Sequence, residues 1–277
     1  MPEANGLEYW VSTLTRADLP VLKQTARDLA ALRADDKRLN AHAVAEVIAR
    51  DPIMTVKLLR YLQMHKSRAQ TTEVIQVHQA LLMLGLEPVF NNVTPKPLIE
   101  EMFKTHIVAL APMLRVIHRS HRASEFAKDW ALQLHDLHFE EVRIATLLHD
   151  IAEILMWCFA PNMMLKINAI QEKDKTLRSR HAQEQVLGFA LIELQKELAV
   201  QWRLPELLLR FMNDSETKQP RVRNVELAVN LARHSANGWD DAALQDDYKD
   251  ISELLRIPVA QVMIMIVADV GAAHDVK

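Results

Sequence analysis

An all-α fold is what this sequence predicts, and three observations carry it. Apolar residues return at three- and four-residue steps along nearly the whole chain, and glycine supplies only 5 of 277 residues. No Asn-Gly pair sits between two alternating runs, as a β-hairpin would favour. Hydrophobic residues make up 49% and charged residues 25%, the balance of an ordinary globular chain.

The first clear helix lies in "NAHAVAEVIARDP". Ala43, Val44, Val47 and Ile48 draw one stripe, and Asn40 can cap it by accepting from a free first-turn N–H. Pro52 stops that helix and opens the next at its first position, where a missing N–H costs nothing, with Asp51 as the cap. "IMTVKLLRYLQM" then sets Ile53, Val56, Leu59 and Leu62 along one face, with Leu58 beside it. "VIQVHQALLMLGLEPV" reads as a helix ending in a left-handed turn at Gly85. "NNVTPKPLIEE" breaks the pattern, because Pro95 and Pro97 remove two donors and force the preceding residues extended. A boundary is expected there, between an N-terminal helical lobe (residues 1–93) and a C-terminal one (94–277). Helical spacing resumes in "SEFAKDWALQL", "EEVRIATLLHDIAEILMWCF", "EQVLGFALIELQKELAVQW", "PELLLRFMND", "VELAVNLARHSA" and "VAQVMIMIVADV".

Charge and composition exclude several function classes. A net charge of −3 supplies no basic stripe for nucleic acid, and no glycine-rich phosphate loop occurs. No apolar run reaches the ~20 residues that a membrane span needs, and no secretory leader is visible, so a cytoplasmic protein is expected. The single cysteine, Cys158, lies between Trp157 and Phe159 and is expected to be a buried, inert thiol.

The order of motifs resembles the HDOD domain. Leu19-Pro20, Ile48 with Asp51-Pro52, Leu58-Leu59, and Ala80 with Leu84-Gly85 are similar to the family's opening half. "LLHDIAEIL" and "EQVLGFALIELQKELAVQWRLPELL" are similar to its second half, so the match covers roughly residues 15–240. This resemblance implies a two-lobed helical fold whose C-terminal lobe is HD-like, related to metal phosphohydrolases. It also implies bacterial regulatory or signalling use, commonly without catalysis. Several positions depart from the family's pattern: Gln63-Met64 stands where Asn-Ser is usual in many members, Ala152 where glycine is usual, Leu191 where histidine is usual, and Gln195 where a second glycine is usual.

An HD-type hydrolase converges two histidines and two aspartates on divalent metal, which polarises phosphate and activates water. The resemblance places His149 and Asp150 as the central pair, His121 (or His118) as the upstream ligand, and Asn230 where the last aspartate belongs. Asn230 is neutral, Glu153 stands where active relatives carry lysine, and Leu191 is apolar. A stripped, vestigial site is therefore expected, in which Asp150 bonds a helix end and His149 a carbonyl. The leading function is a non-catalytic regulatory module acting through an unidentified signalling protein. Neither nucleic acid nor membrane is expected as a partner, and no cofactor is expected unless a divalent metal fills the site. The alternative is a metal-dependent phosphohydrolase acting on a nucleotide or phosphoester. A third reading is a small-ligand sensor using a cleft around Pro95–Pro97 and His149.

Overall fold

The computed structural model describes residues 6–65, 74–174, 176–211 and 219–274. Seventeen α-helices occur among them. The first seven are α1 (Leu7–Arg16), α2 (Lys23–Arg33), α3 (Ala41–Ile48), α4 (Pro52–His65), α5 (Val77–Leu84), α6 (Leu86–Asn92) and α7 (Ile99–Met102). Next come α8 (Ile107–Gln133), α9 (Phe139–Leu147), α10 (Ile151–Phe159), α11 (Pro161–Lys173), α12 (Ser179–Leu187) and α13 (Leu191–Gln201). The last are α14 (Glu206–Phe211), α15 (Pro220–His234), α16 (Leu244–Leu255) and α17 (Val259–His274). Among the described residues the only β pairing is an isolated parallel bridge between Val21 and Leu98, so the all-α class holds.

Local chemistry sets the early helix ends. Asn40 Oδ1 accepts from the Ala43 N–H at 2.9 Å, and Asp51 Oδ1 accepts from Ile53 and Met54 at 2.9 and 3.0 Å. Both caps stand where sequence reasoning put them. α4 differs from a one-faced helix, because Met54 and Thr55 are buried along with Ile53, Val56, Leu58, Leu59 and Leu62. It is wrapped on several sides, which helical periodicity alone does not reveal. Gly85 has φ 80° and ψ 150°, a mirror-extended conformation rather than the expected left-handed turn, and α6 starts directly after it.

The proline segment is extended, as its sequence predicts, and is held by backbone bonds. Val21 N donates to Pro97 O and Ile99 N to Val21 O, each at 2.9 Å. Lys57 Nζ adds bonds to the Leu19 and Lys96 carbonyls. α2, α3, α4 and α5 pack among themselves, while α1 crosses to lie on α13. The 27-residue α8, about 40 Å long, is the spine of the second half and packs most extensively on α9 and α15. Trp130 of α8 and Trp157 of α10 are the largest fully buried side chains. Cys158 is buried as expected, and burial, together with the nearby Asp51 charge, pushes its thiol pKa far up. No single described helix is long and apolar enough to cross a membrane.

Candidate functional site

His149 and Asp150 do not lie inside a helix. The apolar rhythm of residues 139–159 runs on unbroken, yet the backbone turns between α9 and α10. His149 N bonds to Thr146 O and Ile151 N to Leu148 O, three residues back rather than four. The single helix expected over "EEVRIATLLHDIAEILMWCF" is corrected to two, since a break that keeps the same faces buried leaves the periodicity intact. At this junction two consecutive side chains meet the same cavity, and Glu153 follows in the first turn of α10.

A cation belonging to the chain sits among them. Arg119, from α8, donates Nε and Nη2 to Asp150 Oδ2 at 3.1 and 2.7 Å, and Nη2 to Glu153 Oε2 at 2.8 Å. His149 Nδ1 lies 2.9 Å from the other oxygen, Asp150 Oδ1. With the carboxylate ionised, the imidazole donates that bond. Burial alone would raise the Asp150 pKa, but the Arg119 charge and the His149 bond overcome it and hold the carboxyl well below its ordinary range. For Arg119, burial works against the charge, and Asp150 and Glu153 reverse it, so the guanidinium holds its proton more tightly than usual.

The four residues proposed from the sequence do not converge. His121 is two residues past Arg119 on α8, about 200° around the helix. It lines a different cavity with His42, His78, Glu125 and Arg143, and burial lowers its pKa. Asn230 Oδ1 accepts from Arg233 Nη2 at 2.8 Å. Among the described residues no three His, Cys, Asp or Glu side chains form a group that could hold a metal ion. The expected partners of His149 and Asp150 are corrected too. Neither bonds a helix end or a carbonyl, because a guanidinium and each other's polar atoms serve them better. In this arrangement both Asp150 oxygens are already engaged, by Arg119 and His149, so the donor set does not fit a divalent ion.

The cavity beside this cluster has a volume of about 560 Å³. Val116, Leu191 and Ile192 give it apolar wall, and Arg115, Gln183 and Gln195 give it polar wall. Pro95 and Pro97 take no part in it, which corrects the cleft expected for a sensor. Sequence reasoning missed Arg119 and Arg115. The signal was their four-residue spacing on the same stretch as His118 and His121, where the histidines drew attention. Leu191 and Gln195 were noted only as departures from a pattern, and both line the cavity.

The structure is similar to that of the MmoQ response regulator of Methylococcus capsulatus, with 18% identity, 90% of this chain and 98% of that chain covered, and a TM-score of 0.65. It is similar to a virulence factor of Campylobacter jejuni, with 20% identity, 92% and 91% covered, and a TM-score of 0.66. An HDOD domain protein of unknown function from Geobacter sulfurreducens aligns over 96% of both chains at 16% identity and a TM-score of 0.50. These likenesses show the fold alone. A search of curated protein sequences finds no match. The family model for the HDOD domain matches residues 19–217, most of the chain and every helix from α2 to α14. This protein belongs to the HDOD domain family.

Proposed function

We propose that this chain is a non-catalytic regulatory module that works in the cytoplasm by binding an unidentified signalling protein. It acts without cofactor, nucleic acid or membrane. One observation carries the reading: the Arg119 guanidinium is bonded to Asp150, the one carboxylate among the expected metal ligands, and to Glu153 beside it. Admitting a divalent ion would expel Arg119 into a pocket with no other carboxylate among its lining residues. Breaking such a largely buried pair costs on the order of 3–5 kcal/mol. HDOD membership and the likeness to a protein described as a response regulator support a signalling role. Exposed Ile107, Val108 and Leu114 at the start of α8 supply apolar surface for a partner.

The phosphohydrolase reading is favoured only by the His149–Asp150 contact. The experiment that separates the two is metal analysis of the purified chain with phosphodiester turnover. We expect substoichiometric Mn, Fe and Ni and no turnover with any of them added. A stoichiometric ion with turnover overturns the regulatory reading.

A further inference from the structure

We propose that the cavity walled by α8, α10, α11, α12, α13 and α15 is a binding site for a small organic oxyanion, carrying a phosphate or carboxylate head. It is a place where the arginines, rather than a metal, meet the charge. The volume, about 560 Å³, lies within the range that holds small-molecule ligands. The lining carries four guanidinium groups, Arg115, Arg119, Arg180 and Arg233, against two carboxylates, Asp150 and Glu153. Arg119 is shared between those two and offsets one of their two charges. Arg180 is engaged with Glu184 and Glu193, and Arg233 with Asn230. Arg115 makes no ion pair or hydrogen bond to a described residue and stays available at the cavity mouth, where it is exposed.

A second, independent observation comes from the buried donors. Gln195 is 3% exposed and Trp157 1% exposed, and both line the cavity. Gln195 Nε2 and Trp157 Nε1 are buried N–H groups with no partner. Gln195 is oriented by its other end, whose Oε1 accepts from the Ala152 N–H at 3.4 Å. Three acceptors nearby are already used: Asp150 Oδ1 and Oδ2, and Gln183 Oε1, which takes the Leu191 N–H at 3.0 Å. Both orphan donors belong to residues of the cavity wall, and donors left unpaired when buried cost free energy. An oxyanion, all acceptor, satisfies them.

The helix directions agree. The first residues of α12 (Ser179, Arg180) and of α13 (Leu191, Ile192) line the cavity, so both helices present their partly positive N-terminal ends to it. Neither has a side-chain cap at its N-cap residue. Apolar wall from Val116, Leu191 and Ile192 then suits the organic body of such a ligand. This inference stands apart from the protein-partner reading, because ligand binding is measured without metal, turnover or partner.

The test is calorimetric titration of the full chain with three probes at matched ionic strength: inorganic phosphate, adenosine monophosphate and citrate. We expect saturable one-to-one binding of at least one, with the phosphate and carboxylate arms naming the head group. Arg115→Gln removes an exposed charge and is expected to weaken binding severalfold. Gln195→Glu keeps the shape but replaces the donor with negative charge and is expected to weaken it at least about tenfold. Thermal melts of both variants establish that they are folded. No saturable binding of any probe, or binding that both folded variants leave unchanged, overturns the proposal.

Discussion

Asp51 and Asp150 each stand immediately before a helix, α4 and α10, and each is largely buried, yet they are used in opposite ways. Asp51 is fully buried and takes N–H groups from the backbone of Ile53, Met54 and distant Leu22, with the Thr25 side chain adding a neutral bond. No cation reaches it, so burial leads and its pKa is raised. Asp150 makes no bond to the first turn of its own helix. It takes Arg119 and His149 instead, and its pKa is depressed. An aspartate at a helix start is therefore not a cap by position. At Asp150 the donor that wins is the one carrying a full positive charge, which adds ion-pair attraction that a backbone N–H lacks.

The sharpest way to break this comparison is Arg119→Met. It leaves Asp150 and Glu153 facing each other without their cation, and we expect a loss of about 3–5 kcal/mol in urea unfolding. Adding Asp150→Leu to that variant should restore part of the loss. If Arg119→Met costs under about 1 kcal/mol, the pair is an exposed surface bridge and the contrast collapses. Asp51→Ala comes next. It strands three backbone donors in the core, and we expect about 2–3 kcal/mol, beyond the ~1 kcal/mol of an ordinary cap, with Asn40→Ala as the ordinary-cap reference.

The two aspartates should also differ in the sign of their pH response. The Asp150 contribution is present above the unfolded carboxylate value of 3.8 and is lost as pH falls below it towards the depressed folded value. Asp51 runs the other way: its folded pKa is raised, so its contribution is full below 3.8 and declines as pH rises through the folded value. Unfolding measured across the acid range should show Asp150→Asn removing an acid-sensitive component and Asp51→Asn removing an alkali-sensitive one. The same sign for both would defeat the distinction. The smallest effect concerns Cys158, whose thiol feels the Asp51 charge and is pushed up by burial. Native labelling with a thiol reagent should be slow and should track unfolding, and Asp51→Ala should speed it. Fast labelling of the native wild type would contradict both the burial and the shift.

Much of the fold is legible in the amino-acid order. The step of the apolar residues, Asn40 and Asp51 before helices, Pro52 at a first position, and the Pro95–Pro97 break each act over a few residues, so local pattern suffices. The HDOD resemblance is legible for the same reason, being a succession of short motifs. The site is less so. His149 and Asp150 are found by motif, but the break between α9 and α10 hides within continuous periodicity. His121, two positions from Arg119 in the chain, belongs to another cavity.

By itself, then, the sequence determined which segments are helices, where several of them begin, and which family they make. Tertiary structure decided that Arg119 rather than a histidine faces Asp150, and that Gln195, Trp157 and Arg115 share one cavity. The physical reason is that helical periodicity assigns a residue to a face of its own helix. The partner meeting that face comes from 30 to 80 residues away, through packing that no local pattern encodes.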